Sequence, residues 1–346
     1  MNDNITPYVR YIGADDKDLD LFESQYVVPQ GISYNSYVIT DEKIAVMDTI
    51  DQRKTEEWTV RLEEALEGRT PDYLIVQHME PDHAANIGWF AEKYPEATIV
   101  ASAKAIQMMP QFFEEVNFAG RTQTVKEGDT LCLGQHTLKF IMAPMVHWPE
   151  VMLTYEESEK ILFSADAFGK FGALCHEGEW IDEARRYYFN IVGKYGAQVQ
   201  ALLKKAAGLD IAMICPLHGP VLKENLGYYI GLYDTWSKYE PETEGVVVAY
   251  ASIHGNTAAA ARRMAEILSE KGAAEVMLID LCRDDMALAV ESAFRYSKMI
   301  VAASSYDAGV FPPMFDFLHH LQIKNFQKRR VGIIENGSWA PTAGRM

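Results

Sequence analysis

The sequence places four side chains of metal-binding type directly behind one apolar stretch. Tyr73 to Val76 is predicted to form a buried strand, and His78, Glu80, Asp82 and His83 follow it. Because alternate residues of an extended segment point to the same side, we expect His78, Glu80 and Asp82 to converge on one point, with His83 facing an adjacent one. A polar loop that happens to hold two histidines is the alternative, but it gives no reason for this density of ligands. The stretch predicts a metal site at the carboxyl end of a strand, where α/β proteins place their chemistry.

Three later apolar strands also end near residues that can bind a metal, namely His147, Asp166 and His218. An isolated histidine is more often a core or surface residue than a ligand. Here, four of the nine histidines of the chain share the same placement behind a predicted strand. The repeated placement therefore favours one common site.

The combined set holds four histidines and three carboxylates, which is too many for one tetrahedral zinc ion. It suits two metal ions with one carboxylate between them. Imidazole and carboxylate ligands without a thiolate favour iron or manganese in open sites. Two zinc ions would instead activate water for hydrolysis.

The first part of the sequence predicts hairpins covered by helices, and these elements must position the ligands. A hairpin is expected around Thr40–Glu42, with helices and strands alternating after it. This pattern predicts two sheets sandwiched between helices. The expected helices are 56–67, 84–93, 103–113 and 188–206, and the expected strands are 33–40, 43–48, 73–76, 97–102, 122–125, 137–143, 151–155, 160–165 and 211–215.

A charged, proline-bearing stretch from Tyr239 to Gly245 predicts a domain boundary. After it, the strand Gly245–Ala251 leads into a loop rich in hydroxyl groups and then into a helix over 258–271. Backbone N–H groups at a helix amino terminus bind phosphate, and Ser252, Asn256 and Thr257 can add side-chain donors. An ordinary capped helix start is the alternative reading of this loop.

Two further loops follow the predicted strands 299–303 and 331–335. They contain Tyr306 and Trp339, which offer flat aromatic surfaces, and glycines that allow close backbone approach. In a doubly wound sheet such loops meet beyond the carboxyl ends of the strands. The second part therefore predicts a cleft for a flat, phosphorylated ligand.

The bulk composition limits the classes of protein. With 346 residues the chain can form two domains, here expected at 1–240 and 245–346. The net charge of -17 argues against nucleic-acid binding. The four cysteines are scattered, which disfavours disulfides, a zinc ribbon or an iron–sulfur cluster. A polar amino terminus and the lack of a long apolar run predict a cytoplasmic protein without a signal peptide or membrane span.

The ordered ligands from His78 to His218 resemble the metallo-β-lactamase-like domain of the flavodiiron proteins. Ordinary zinc hydrolases of that superfamily carry histidine where Glu80 stands, whereas flavodiiron proteins carry glutamate and hold two irons. The Trp148-Pro149 pair and the run from Tyr34 to Tyr37 also resemble the family. The resemblance implies one iron held by His78, Glu80 and His147, another held by Asp82, His83 and His218, and Asp166 between them. It also suggests Tyr26, Trp148 and Tyr195 as residues of the pocket beside the irons.

The second part resembles a flavodoxin-like FMN domain. The flavin-binding residues that this resemblance implies are Ser252, His254, Gly255, Asn256, Thr257, Ser304, Ser305, Tyr306, Asp307, Gly337, Ser338, Trp339 and Ala340. Two features depart from the family. Ala303-Ser304-Ser305-Tyr306 replaces its frequent Ser-Pro-Thr-Tyr pattern, and four strands are countable where a flavodoxin-like sheet has five. We therefore expect the fold to be incomplete at its carboxyl end and to retain FMN weakly.

The resemblance implies an oxidoreductase that reduces O2 to water, NO to N2O, or both, with electrons delivered through FMN. The electron donor is expected to be a separate rubredoxin-like protein or another reduced carrier, and the assembly a head-to-tail homodimer or a dimer of dimers. No nucleic-acid or membrane partner is expected. The sequence does not choose between the two gases.

Three alternatives stay open on the residues themselves. One is a dinuclear zinc hydrolase fused to a flavodoxin module, and Glu80 argues against it. Another is an electron carrier whose first domain only docks partners, which does not explain the ligand set. The third is a non-catalytic flavoprotein fragment.

Overall fold

The computed structural model describes residues 4–176 and 178–345, and the chain divides into two units by its internal contacts. The first unit contains residues 1–184 and 201–230, and the second contains 185–200 and 231–346. The segment 185–200 thus groups with the later part of the chain. The domain limits 1–240 and 245–346 stay a prediction.

One six-stranded sheet of the first unit carries the strand that precedes His78. Its order is β1-β6-β7-β8-β9-β10, antiparallel through β7 and parallel from β7 to β10. The hairpin predicted around Thr40–Glu42 is confirmed as β6–β7. The strands up to this point are β1 Val9–Tyr11, β2 Ala14–Asp16, β3 Leu21–Phe22, β4 Tyr26–Val27, β5 Ile32–Tyr34, β6 Tyr37–Thr40, β7 Ile44–Met47, β8 Tyr73–Val76, β9 Thr98–Ser102 and β10 Thr122–Val125.

A five-stranded sheet in the order β11-β12-β13-β14-β15 carries the later metal-capable residues. Its strands are β11 Thr130–Cys132, β12 Thr137–Met142, β13 Met152–Glu156, β14 Ile161–Phe163 and β15 Met213–Cys215. Apolar side chains from both sheets form one buried cluster, in which Met47 and Ile75 of the first sheet join Phe140 and Phe163 of the second. This shared core fixes the two sheets against each other, so that the loops at their ends keep a constant separation.

Helices cover the sandwich, and α1 buries the apolar face that its sequence predicts, formed by Trp58, Leu62, Ala65 and Leu66. The helices are α1 Thr55–Leu66, α2 Pro81–Ala84, α3 Ile87–Lys93, α4 Ala103–Phe112, α5 Trp180–Tyr187, α6 Gly196–Ala206 and α7 Leu226–Ser237. The αββα arrangement predicted from the sequence is confirmed.

Two helix predictions need correction. The helix expected over 84–93 is two helices, since α2 ends at Ala84 and α3 begins at Ile87. The long helix expected over 188–206 contains a π turn at Tyr188–Val192 and a 3-10 turn at Gly193–Tyr195 before α6. A Cβ on Gly196 would lie 2.3 Å from the carbonyl oxygen of Ser237, so close backbone approach accounts for the glycine there.

The second unit contains a doubly wound parallel sheet. Among the residues that the structure describes, four parallel strands run in the order β17-β16-β18-β20, and the short β19 pairs antiparallel with the end of β18. The elements are β16 Thr243–Ala251, α8 Asn256–Glu270, β17 Val276–Asp280, α9 Met286–Arg295, β18 Tyr296–Tyr306, β19 Gly309–Val310, α10 Pro312–Ile323 and β20 Arg330–Asn336. On β20, Val331 and Ile333 are exposed.

A buried ion network ties α9 to the segments around it in the second unit. The Arg185 guanidinium donates to Glu291 Oε1 at 2.8 Å and to Glu242 Oε2 at 2.7 Å. The side chains of Arg185 and Glu291 are 2% and 4% exposed. Because water does not replace a lost partner at such a site, the network is expected to matter for stability.

We predict that Arg185→Met lowers the free energy of unfolding by about 3 to 5 kcal/mol, because the buried Glu291 and the partly buried Glu242 lose their cation. Arg263→Met is the matched control, since Arg263 pairs with Glu266 and Glu270 on the exposed face of α8. Urea titration followed by circular dichroism measures both. Equal unfolding midpoints for the two variants would show that the buried network stabilises the protein no more than the exposed ion pairs of Arg263 do.

Candidate metal centre and flavin cleft

The loop after β8 changes direction at Glu80, and this change decides which residues meet. Glu80 has extended backbone angles and stands immediately before α2, with Pro81 at the first helical position. Asp82 and His83 are therefore helical, not extended. The expectation that Asp82 converges with His78 and Glu80 is wrong for this reason: strand alternation ends where the proline starts a helix.

The first ligand group consists of His78, Glu80, His147 and Asp166, whose ligand atoms all lie within 4.8 Å of one another. Glu80 Oε2 is 3.2 Å from His78 Nε2 and 3.0 Å from His147 Nε2. Asp166 Oδ2 is 3.3 Å and 3.1 Å from the same two nitrogens. Two imidazoles and two carboxylates thus point at one small volume.

The second group consists of Asp82, His83 and His218. The Nε2 atoms of His83 and His218 are 3.1 Å apart, and Asp82 Oδ2 lies 3.3 Å and 3.2 Å from them. Asp166 faces this group with its other oxygen, since Oδ1 is 3.2 Å from His83 Nε2 and 3.9 Å from His218 Nε2. The carboxylate that follows β14 therefore lies between the two groups, with one oxygen toward each.

The electrostatics of the centre favour the ionised carboxylates. Burial by itself raises the pKa of Asp166, but the imidazoles of His78, His147 and His83 outweigh it and hold the pKa of that carboxyl well below its usual range. Burial likewise opposes charge on His147, yet Asp166 and Glu80 raise its pKa to about 9. The imidazoles likewise lower the pKa of Glu80, so the carboxylates of Asp166 and Glu80 stay charged at neutral pH and require cations beside them.

Unpartnered atoms show what kind of cation fits. Within the described residues, both carboxylate oxygens of Asp82 and Oδ1 of Asp166 are buried without a hydrogen-bond donor. Such groups are costly to bury unless something compensates them. Imidazole nitrogens and carboxylate oxygens that converge at these distances fit two metal ions, one in each group.

Two buried carboxylates that sequence reasoning did not assign to the site hold the ligand loop. Asp48 Oδ1 accepts from the backbone N–H of Gln77 at 2.7 Å and of His78 at 3.3 Å. Glu150 Oε1 accepts from the Met79 N–H at 2.9 Å and lies 2.8 Å from His78 Nδ1. The available signals were weak: Asp48 ends a predicted strand, and Glu150 follows Trp148-Pro149.

The structure places the three residues predicted for the pocket, Tyr26, Trp148 and Tyr195, in different surroundings. The Trp148 ring meets the His78 ring edge-on at 5.4 Å, so it lies beside the metal centre. Tyr26 is buried in the same unit, and burial together with the charges of Glu23 and Glu80 raises its pKa. Tyr195 lies in the second unit, and its place in the pocket stays a prediction.

The second unit contains a cleft of about 450 Å³ at the carboxyl ends of its strands. It is lined by Ser252, Ile253, His254, Asn256, Thr257, Ser304, Ser305, Tyr306, Asp307, Ala308, Asn336, Gly337, Ser338, Trp339, Ala340 and Thr342. The structure thus brings twelve of the thirteen predicted flavin-binding residues to one cleft. Gly255 is not among the lining residues and stands just before α8 at a φ of 88°. Ile253, Ala308, Asn336 and Thr342 were not predicted.

Contacts inside the cleft connect its three loops. Thr257 Oγ1 lies 2.9 Å from Ser304 Oγ and accepts from Asn336 Nδ2 at 3.3 Å. Tyr306 is half exposed, and the Trp339 side chain is 92% exposed. A helix amino terminus with hydroxyl groups and two accessible aromatic rings fits a phosphorylated, flat cofactor.

Comparisons with known proteins agree with this geometry. Residues 32–219 match the model of the family described as ODP family beta lactamase. The chain is 29% identical over 353 residues to an anaerobic nitric oxide reductase flavorubredoxin of Aliivibrio fischeri, covering 98% of this chain and 70% of the relative.

Two solved structures share the fold over nearly the whole chain. The flavodiiron protein of Giardia intestinalis superposes with a TM-score of 0.93 at 26% identity, covering 99% of this chain and 85% of the other. The rubredoxin oxygen:oxidoreductase of Desulfovibrio gigas gives 0.91 at 26% identity, covering 97% and 86%. Fold and site thus define a β-lactamase-type metal domain joined to a flavodoxin-like domain. The chain belongs to the flavodiiron proteins, a family of oxidoreductases.

We predict that Asp166→Asn loses both metal ions, because a neutral amide replaces the anion that faces both groups. Metal content after desalting, measured by mass spectrometry on protein reconstituted with iron, checks this. Asp210→Asn, an exposed carboxylate of the same unit, is the control and should keep full occupancy. Full occupancy in Asp166→Asn would refute its place between the metals.

We also predict that Thr257→Val weakens FMN binding roughly 10- to 100-fold, since a hydrogen bond to a charged group contributes about 1.5 to 3 kcal/mol. Riboflavin, which lacks the phosphate, should lose far less affinity in the same variant. Flavin fluorescence titration measures both ligands, and Thr235→Val, whose hydroxyl bonds within α7, is the control. An equal loss for FMN and riboflavin would place the phosphate elsewhere.

Proposed function

We propose that this protein reduces O2 to water, NO to N2O, or both, at two irons held by the two ligand groups, with electrons entering through FMN in the cleft of the second unit. The observation that carries the proposal is the position of Asp166, with one oxygen toward each group. From this position Asp166 would hold one metal ion with each oxygen, and two metal ions so held would act together on one diatomic molecule.

The donor set favours iron over the zinc of a hydrolase. Glu80 supplies a hard oxygen between His78 and His147, where the zinc hydrolases of this superfamily carry a histidine. Oxygen and imidazole donors without thiolate suit iron in open coordination. The paired irons, when bound, supply electrons and binding positions for the gas, and the flavin supplies the route by which electrons arrive.

The roles of the protein's own residues follow from their contacts. Asp166, Glu80 and Asp82 would neutralise the metal charges, while the four histidines would complete the two positions. Trp148 presents an apolar ring beside His78 and so limits the access of water on that side. The loop from Ser252 to Thr257 would hold the flavin phosphate, and Tyr306 and Trp339 would flank its ring.

We propose further that the electron donor is a separate rubredoxin-like protein or another reduced carrier. The D. gigas relative is named for rubredoxin, which supports this choice. We also propose a cytoplasmic, head-to-tail homodimer in which the flavin of one subunit serves the metals of the other. No helix within the described residues is long and apolar enough to cross a membrane.

Anaerobic turnover with each gas tests the proposal. We expect protein with measured iron and FMN to consume O2 or NO when its flavin is chemically reduced. Glu80→His should shift the bound metal toward zinc and abolish this turnover. Wild-type protein from iron-replete cells that carries only zinc, or iron-loaded protein that consumes neither gas, would contradict the proposal.

A further inference from the structure

The two ligand groups present the same kinds of donor atom. Each offers two imidazole Nε2 atoms, one carboxylate of its own, and one oxygen of Asp166. The kinds of donor atom therefore do not distinguish the two positions. The contacts behind the ligands do.

Behind the imidazoles the two groups differ. In the first group, His78 Nδ1 lies 2.8 Å from the carboxylate of Glu150. In the second, His218 Nδ1 donates to the backbone carbonyl of Ser33 at 2.7 Å. Nδ1 of His83 is buried, and the described part of the chain offers it no hydrogen-bond partner.

A carboxylate behind a ligating imidazole has two effects. It fixes the tautomer that presents Nε2 to the metal, and it makes that nitrogen more basic. A neutral carbonyl fixes the tautomer but donates less electron density, and an unpartnered Nδ1 does neither. His78 is therefore the strongest imidazole donor among those whose rear contacts are defined.

Glu150 Oε1 is shared between the ligand loop, through Met79 N–H, and the rear nitrogen of His78. Glu150 is 1% exposed, and its Oε2 finds no donor among the described residues. Burying a carboxylate with one oxygen unpaired costs free energy. A neutral acceptor such as an amide would hold the loop at a lower cost, so a structural role alone does not explain a carboxylate here. Asp48 holds the same loop, but through the backbone N–H groups of Gln77 and His78.

We propose that the two metal positions are unequal, that the position of His78, Glu80 and His147 binds metal more tightly and loads first, and that Glu150 is the positioning residue that sets this order. The inference rests on the proposed two-metal site. It means that a protein short of iron holds a single metal at the Glu80 position.

Anaerobic titration of the metal-free protein with Co2+ tests the order, because Co2+ absorbs in the visible range when bound. We expect two phases whose dissociation constants differ by about 10- to 100-fold. Glu80→Ala should remove the tight phase and Asp82→Ala the weak one, which assigns each phase to its position. A single phase in the wild type, or the opposite assignment, would overturn the proposal.

Glu150→Gln tests the cause of the order. The amide oxygen can still accept from Met79 N–H and His78 Nδ1–H, so the variant keeps the fold while losing the charge. We expect the tight dissociation constant to rise about 10-fold or more, with the weak phase unchanged. Glu156→Gln is the control for the loss of a buried carboxylate, because Glu156 is equally buried and lies outside both ligand groups. Glu156 accepts from the backbone N–H groups of Ser158 and Glu159 through separate oxygens, so its amide keeps one of these two bonds.

The outcomes separate the inference from the proposed function. Equal losses in both phases for Glu150→Gln, or the same loss in Glu156→Gln, would assign Glu150 a merely structural role. Two bound metals of equal affinity would overturn the inference and leave the two-metal site intact. A wild-type chain that binds no metal would overturn the proposed function itself.

Discussion

The contact on which the structure depends is the buried carboxylate of Asp166 among the imidazoles. Its two oxygens face His78 and His147 on one side and His83 on the other, at 3.1 to 3.3 Å. Ionised groups in such a place are stable only when cations compensate them. Bound metal would supply that charge while the ligating imidazoles stay neutral, so metal binding is expected to stabilise this region.

The two-sheet core keeps these groups in place. His78 to His83 follow β8 of the first sheet, whereas Asp166 and His218 follow β14 and β15 of the second. Because side chains from both sheets form a single apolar cluster, neither set of loops can move without disturbing the other. Asp48 and Glu150 add a finer constraint, since they bond three successive backbone N–H groups from Gln77 to Met79. These two carboxylates are costly to bury, and their hydrogen bonds to the loop give it a fixed shape.

Much of this arrangement could be predicted from the sequence, for a physical reason. Ligands that follow buried strands stand out, because apolar runs mark the strands and polar residues mark their ends. Strand alternation could not predict that Asp82 groups with His83 and His218, since Pro81 begins a helix. Glu150 could not be found either, because a carboxylate that acts behind a histidine follows no fixed spacing. The irregular turns from Tyr188 to Tyr195 were missed because a close backbone approach, visible at Gly196, leaves only a glycine in the sequence.

The flavin cleft was also predictable, because three loops at the ends of parallel strands must meet at one edge of the sheet. Residues such as Asn336 escaped notice because an amide bonded to a hydroxyl is common in any loop. Their positions depend on the register of β20 beside β18, which the sequence does not specify.

Anomalous scattering at the iron absorption edge, from crystals of the protein prepared with iron, tests directly whether Asp166 lies between two metal ions. We expect two peaks on either side of Asp166, about 3.5 to 4 Å apart, one beside Glu80 and the other beside Asp82. A single peak in a fully loaded protein, or two peaks with Asp166 outside bonding distance of either, would contradict it.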